Sequence, residues 1–124
     1  MILYRSMAER VLVVDDEMQI TRVLRAALSA QGYDVRTANE PEEALRLVQD
    51  WMPDLMITDL MMPGMTGIEL AIRFREKQPQ CRILLFSGVA ATADLLDKAR
   101  AEGHDFQLLA KPVHPADLLA KLKG

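Results

Sequence analysis

Residues 11–16 read Val-Leu-Val-Val-Asp-Asp, an apolar run that ends in two adjacent carboxylates. Residues 55–59 read Leu-Met-Ile-Thr-Asp and repeat this arrangement with one carboxylate. Short unbroken apolar runs are typical of strands that are buried on both faces of a parallel sheet. The pattern therefore predicts two strand ends that bring Asp15, Asp16 and Asp59 into one small space.

Such a cluster of carboxylates is unfavourable without a positive charge beside it. Two like charges about 4 Å apart repel by roughly 4 kcal/mol at an effective dielectric constant near 20. Mg²⁺ prefers oxygen ligands from one or two carboxylates, water and a phosphate group. The three carboxylates therefore predict a magnesium and phosphoryl site.

Apolar runs and amphipathic stretches alternate five times from Arg10 onward, which predicts an α/β fold with a parallel sheet and helices on both faces. The runs lie at 11–14, 55–58, 83–86 and 106–110, while residues 34–38 alternate polar and apolar side chains and are predicted at the sheet edge. The 124 residues suffice for one domain, predicted over 8–124, with 1–7 as a poorly ordered N-terminal extension.

Helix signals fill the intervening stretches. The first helix is predicted with Asp16 as its N-cap, Gly32 as its stop, and an apolar stripe of Ile20, Val23, Leu24, Ala27 and Leu28. The second helix is predicted to begin near Asn39 or Glu40, with Pro41 in its first turn. The later helices are predicted to begin at the capping box Thr66-Gly67-Ile68-Glu69, near Thr92 and at Pro115.

Composition argues against several classes of protein. The net charge is −3 and Lys and Arg form no long run, so neither nucleic-acid binding nor membrane-surface binding is expected. No apolar stretch approaches the roughly 18 residues of a membrane span, and no signal-peptide core is present. The single Cys81 excludes an internal disulfide and is predicted to be a small core or edge residue. We therefore expect a cytoplasmic protein.

Two further polar residues follow predicted strands. Ser87 follows the run at 83–86 and Lys111 follows the run at 106–110. Both are therefore expected at the carboxyl ends of the strands, where the carboxylates lie. A carboxylate nucleophile, a cation and a lysine together suit in-line phosphoryl transfer. The expected product is an aspartyl phosphate on Asp59.

Four segments, in this order, resemble those of the receiver domains of bacterial two-component response regulators: Val13-Val14-Asp15-Asp16-Glu17, Asp59-Leu60-Met61-Met62-Pro63 with Gly67, Ser87-Gly88, and Lys111-Pro112. The resemblance implies a flavodoxin-like, doubly wound five-stranded parallel sheet with strand order 2-1-3-4-5. It implies Asp59 as phosphoacceptor, Asp16 as a direct Mg²⁺ ligand, Asp15 as a partner nearer to water, and the Met61 backbone carbonyl as a further ligand. Ser87 and Lys111 would each contact a phosphoryl oxygen, and the Lys111-Pro112 bond would be cis.

The resemblance also implies function and partners. The domain would take a phosphoryl group from a sensor histidine kinase or a histidine phosphotransfer protein and would switch partner binding. It would catalyse its own phosphorylation and dephosphorylation rather than act as an enzyme on a separate substrate. Its output would pass through a downstream protein target or a fused output domain, without direct nucleic-acid or membrane binding by this chain.

One departure from the family and two alternative functions stay open. Family members usually carry Tyr or Phe three residues before the lysine, where this chain has Leu108; either Phe106 substitutes for it or the aromatic switch is absent, and we favour absence. One alternative function is a docking module that works without phosphorylation. The other is a haloacid-dehalogenase-like phosphatase, which is disfavoured because its nucleophile ends the first strand and its acidic pair comes late.

Overall fold

The computed structural model describes residues 8–88, 92–111 and 114–123. The predicted extension at 1–7 and Pro112, with its predicted cis bond, lie outside the described residues. Five parallel strands form one sheet in the order β2-β1-β3-β4-β5, which confirms the predicted topology. The strands are β1 (Arg10–Val14), β2 (Asp34–Ala38), β3 (Leu55–Asp59), β4 (Arg82–Ser87) and β5 (Gln107–Ala110).

Helices cover both faces of the sheet. They are α1 (Met18–Ala30), α2 (Pro41–Leu47), α3 (Gly67–Lys77), α4 (Thr92–Ala101) and α5 (Pro115–Lys123). One buried cluster joins Leu24 of α1 and Leu118 of α5 to the sheet, and the other joins Ala44 of α2, Leu70 of α3 and Ala99 of α4 to the opposite face. None of the described helices combines the length and the apolar character that a bilayer crossing requires.

Strand burial follows the position of each strand in the sheet. All five residues of β3 are buried, and the four residues of β1 after Arg10 are buried as well. The edge strand β2 alternates, with Val35 and Ala38 buried and Asp34 and Arg36 exposed, as its sequence predicts. The guanidinium of Arg36 lies 4.8 Å from the ring centre of Trp51, which is buried beside this edge.

The first helix differs from its prediction in two ways. Its N-cap is Glu17 rather than Asp16, because the Asp15 side chain accepts the Glu17 backbone N–H at 2.9 Å and the chain turns before the helix begins at Met18. Val23 is 55% exposed, so its place on the predicted buried stripe is wrong. The inward stripe is centred on Thr21, Leu24 and Leu28 instead.

The third helix begins as predicted. Thr66 is its N-cap, and the backbone N–H of Glu69 donates to Thr66 Oγ1 at 3.1 Å while Glu69 Oε1 accepts from the Thr66 backbone N–H at 3.0 Å. These reciprocal bonds lower the pKa of Glu69. The capping box fixes the start of α3 immediately after the loop that leaves the end of β3.

Phe106 and Leu108 pack against the same buried cluster, so both side chains lie on one face of the sheet. The Phe106 ring lies beneath the guanidinium of Arg75 at 4.7 Å and stacks on the ring of His104 at a centroid distance of 6.2 Å. Phe106 is buried in this cluster and is therefore a core residue directly before β5. The absence of an aromatic switch stays a prediction.

Cys81 is buried directly before β4, as predicted for a small core residue. Burial raises the pKa of its thiol to about 11. Because the thiolate is the reactive form, this thiol is a packing group at neutral pH.

Candidate functional site

Four strands end at one edge of the sheet and carry the predicted site residues there. Asp59 is the last residue of β3, and Asp15 and Asp16 directly follow β1. The register pairs Val14 with Thr58 and Asp59 with Phe86, so these ends lie side by side. Ser87 ends β4, and Lys111 follows β5 and donates its backbone N–H to the Ser87 carbonyl at 2.8 Å.

Asp15, Asp16 and Asp59 form an acidic cluster in the part of the chain that the structure describes. Each offers a carboxylate oxygen, and these oxygens lie within 4.8 Å of one another. Lys111 Nζ lies 3.2 Å from Asp15 Oδ2 and 3.3 Å from Asp59 Oδ1, so the lysine bridges two members of the cluster. The structure therefore brings the predicted carboxylates and the predicted lysine together.

The surroundings of the cluster are poorly solvated. Asp15 is fully buried, and Asp59 and Ser87 are each 7% exposed. Burial raises the pKa of both Asp15 and Asp59, and this outweighs the nearby Lys111, which lowers it. Burial acts to lower the pKa of Lys111, but the charges of Asp15 and Asp59 outweigh it and raise that pKa. The ammonium is thus held charged beside carboxylates that ionise reluctantly.

Asp15 is fixed at its main-chain and side-chain polar atoms. Its backbone N–H donates to the Ala38 carbonyl at 3.1 Å, and its Oδ1 accepts from the Glu17 N–H at 2.9 Å. Its Oδ2 has Lys111 Nζ as an ion-pair partner at 3.2 Å and, among the described residues, accepts no well-directed hydrogen bond. An incompletely satisfied buried carboxylate oxygen, beside two further carboxylates, fits the oxygen ligation of a divalent cation such as Mg²⁺.

The burial of the two adjacent aspartates differs from the expectation, while their roles toward Mg²⁺ stay a prediction. Asp15 was expected to be the member nearer to water, but it is fully buried, whereas Asp16 is exposed. The reason is that Asp15 continues the buried direction of β1 and Asp16 begins the turn into α1. Asp16 therefore has the freer carboxylate.

The loop after Asp59 supplies a contact that the sequence did not predict. The Met61 backbone N–H hydrogen-bonds to the Asp59 carboxylate and acts to lower its pKa, although burial outweighs it. The Met61 side chain is 50% exposed. The Met61 backbone carbonyl, predicted as a metal ligand, stays a prediction.

Gly67 brings the start of α3 against the end of β3. Its backbone N–H donates to the Leu60 carbonyl at 2.7 Å, and a Cβ at this position would collide with the backbone carbonyl of Asp59. Only glycine permits this approach without a shift of the backbone that carries the Asp59 carboxylate.

Sequence reasoning missed two residues that contact the site. Glu17 Oε1 lies 3.8 Å from Lys111 Nζ, although the Glu17 side chain is 64% exposed. Asn39 donates from Nδ2 to the Asp15 carbonyl oxygen at 2.9 Å. Asn39 directly follows β2, so the rule that parallel strands end at one edge would have found it.

Comparisons with known proteins agree with this geometry. The family model described as the response regulator receiver domain matches residues 11–123. The chain is 33% identical over 118 residues to the alkaline phosphatase synthesis transcriptional regulatory protein PhoP of Bacillus subtilis, covering 95% of this chain and 48% of that protein. The chain spans about half the length of the curated relatives it matches.

Solved structures show the same fold. The chemotaxis protein CheY4 of Vibrio cholerae superposes with a TM-score of 0.83 at 31% identity, covering 94% of this chain and 97% of that one. The signal receiver domain of an HD domain-containing protein from Pseudomonas fluorescens gives a TM-score of 0.84 at 29% identity, covering 94% and 92%.

The first prediction concerns Gly67. We expect Gly67→Ala to lower the free energy of unfolding by about 1–3 kcal/mol, because the added methyl group must displace the backbone of Asp59. Gly88→Ala is the matched control, since its Cβ would meet Lys111 Cβ at 3.4 Å and can be accommodated. Urea unfolding measures both variants. Equal losses in the two variants would contradict the close approach of α3 to β3.

The second prediction concerns pH in the absence of divalent cations. Burial raises the pKa of Asp59, so the folded protein holds the proton of this carboxyl more tightly than the unfolded chain does. The stability that comes with the protonated form is present below the unfolded pKa, near 4, and is lost as pH rises through the raised folded pKa. We therefore expect Asp59→Asn to gain stability relative to the wild type as pH rises above about 4.

Urea unfolding in a chelating buffer across this pH range measures the difference. Asp50→Asn is the matched control, because Asp50 is an exposed carboxylate after α2, at the opposite edge of the sheet. It should show no such gain. A difference between wild type and Asp59→Asn that is constant with pH would exclude a raised pKa at Asp59.

Proposed function

Because this chain belongs to the family of response regulator receiver domains, the receivers of two-component signalling, we propose that it signals by accepting a phosphoryl group on Asp59. The observation that carries the proposal is the position of Asp59 at the end of β3, inside the acidic cluster and 3.3 Å from Lys111 Nζ. A nucleophilic carboxylate, further carboxylates for a cation, and a fixed ammonium are the parts that phosphoryl transfer requires.

The proposed transfer is an in-line displacement. An Asp59 carboxylate oxygen forms a bond to phosphorus while the bond between phosphorus and the donor nitrogen breaks, and the electron pair of that bond stays on the nitrogen of the donor histidine. The carboxylate becomes a mixed anhydride, an aspartyl phosphate. No base is needed, because the attacking oxygen is already unprotonated when Asp59 is ionised.

Lys111 and Ser87 support this step from the neighbouring strand ends. The Lys111 ammonium lies between Asp15 and Asp59, so a small movement would bring it into contact with an oxygen of the phosphoryl group on Asp59. Ser87 is one residue beyond Phe86, the partner of Asp59 in the sheet register, and we assign its hydroxyl to a second phosphoryl oxygen in this proposal. Such fixed donors stabilise charge where it develops.

Mg²⁺ is the proposed cofactor, held by the Asp16 and Asp59 carboxylates and the Met61 backbone carbonyl, with Asp15 beside them. When bound, it supplies positive charge that offsets the carboxylates and the incoming phosphoryl oxygens. The fully buried Asp15 carboxylate is balanced by its ion pair with Lys111 rather than by contact with solvent.

The proposed donor is the phosphohistidine of a sensor kinase or of a histidine phosphotransfer protein, and the domain contributes its own catalysis of phosphorylation and of later hydrolysis. The output partner is a separate protein or a fused domain; relatives such as PhoP, named a transcriptional regulatory protein, are about twice as long as this chain. A cytoplasmic location likewise stays a prediction.

The third prediction tests the phosphoacceptor. Incubation with Mg²⁺ and acetyl phosphate should add one phosphoryl group to the wild type, detected by intact mass, and peptide mapping should locate it at Asp59. Asp59→Asn should not be labelled, and Asp50→Asn should be labelled like the wild type. Binding of Mg²⁺ without any labelling would contradict the proposal and would favour a docking module that works without phosphorylation.

A further inference from the structure

Asn39 joins the end of β2 to the turn that carries the acidic pair. Its side-chain amide donates to the Asp15 carbonyl oxygen at 2.9 Å and to Thr21 Oγ1 at 3.2 Å. Its own backbone N–H donates to Glu43 Oε1 at 2.8 Å, so α2 holds the asparagine in place. A chain of hydrogen bonds therefore runs from α2 through Asn39 to the backbone of Asp15.

The direction of these bonds is fixed by the network. Thr21 Oγ1 donates its proton to the Met18 carbonyl at 3.0 Å, so towards Asn39 it acts as an acceptor. The Asp15 carbonyl is also an acceptor. Both partners therefore require the NH₂ group of Asn39, and the amide oxygen faces away from them.

The bonded carbonyl belongs to the peptide unit that leads from Asp15 into Asp16. The Asp16 side chain is exposed and forms no hydrogen bond or ion pair with the described residues. Where that carboxylate can reach therefore depends on the backbone from which the side chain extends. Asn39 fixes the plane of that peptide unit, since the Asp15 backbone N–H is held separately by the Ala38 carbonyl.

We propose that Asn39 is a positioning residue for cation binding: by holding the Asp15–Asp16 peptide unit, it points the Asp16 carboxylate towards Asp59. This inference rests on the proposed function, because it concerns the Mg²⁺ site of the same acidic cluster. Mutation of a group that hydrogen-bonds to a metal ligand and orients it typically lowers metal affinity roughly 10–100-fold. Asn39 acts through the backbone, and we expect the lower end of that range.

The chemistry of the contact selects the test variants. Asn39→Asp keeps the shape but replaces two N–H donors with a carboxylate that faces a carbonyl oxygen, and Asn39→Ala removes the contact altogether. Thr21→Val is the matched control, because it removes the second acceptor of Asn39 and leaves the bond to the Asp15 carbonyl possible. Thr21 is buried, so this control also loses the hydrogen bond to the Met18 carbonyl and leaves polar groups at a buried site without a partner.

The fourth prediction is measured by calorimetric titration with Mg²⁺. Both Asn39 variants should bind Mg²⁺ about ten-fold more weakly than the wild type, while Thr21→Val should bind close to the wild-type value. Urea midpoints should fall for Thr21→Val and Asn39→Ala alike, so a loss of stability alone cannot produce the difference in affinity. If Asn39→Ala does not fold, the isosteric Asn39→Asp decides the comparison.

A kinetic readout separates positioning from a general defect. In labelling with acetyl phosphate, the Mg²⁺ concentration at half-maximal rate should rise in the Asn39 variants by the same factor as the dissociation constant, and the rate at saturating Mg²⁺ should stay near the wild-type rate. Wild-type affinity in both Asn39 variants, or equal weakening in Thr21→Val, would overturn the inference. A wild type that is not labelled at Asp59 would instead overturn the proposed function.

Discussion

The main physical constraint on this structure is electrostatic: three carboxylates lie near the ammonium of Lys111 in a poorly solvated space. Asp15, Asp16 and Asp59 bring three negative charges, and Lys111 brings one positive charge, so two negative charges remain uncompensated when all four groups are ionised. Repulsion between uncompensated negative charges is unfavourable in a partly buried site. The folded core must therefore supply the stability that keeps the cluster together, and a cation is attracted to it.

The sheet provides that stability and the required precision. The cluster members emerge from β1 and β3, two adjacent central strands with fully buried interiors, so their spacing follows from strand register rather than from flexible loops. Two further contacts fix the backbone beside the carboxylates. Gly67 lets α3 approach the carbonyl of Asp59, and Asn39 donates a hydrogen bond to the carbonyl of Asp15. Sites built on strand ends and fixed from behind are well suited to charge stabilisation.

Much of this arrangement could be predicted from the sequence, because its causes are periodic or local. Unbroken apolar runs identified the strands, alternation placed β2 at the edge, and polar residues directly after the runs identified the acidic cluster and Lys111. The errors lie where a tertiary contact decides the outcome. Val23 matches a helical stripe but is exposed, since the rotation of α1 is set by packing of Leu24 and Leu28.

The local chemistry of the turn after β1 was also beyond sequence reasoning. Asp16 has the residue type of an N-cap, yet the Asp15 side chain takes the nearby Glu17 N–H, and the helix begins one residue later than a cap at Asp16 would allow. Asn39 resembles an ordinary helix-start residue in the sequence. Only the fold shows that its amide is directed at the Asp15 carbonyl.

The most direct test of the account is a crystal structure with Mn²⁺, which shares the oxygen ligands of Mg²⁺ and is located by its anomalous scattering. We expect one Mn²⁺ in contact with carboxylate oxygens of Asp16 and Asp59, with Lys111 still beside Asp59. A strong Mn²⁺ peak elsewhere, or none at this edge of the sheet, would contradict the claim that the acidic cluster is arranged to hold a cation.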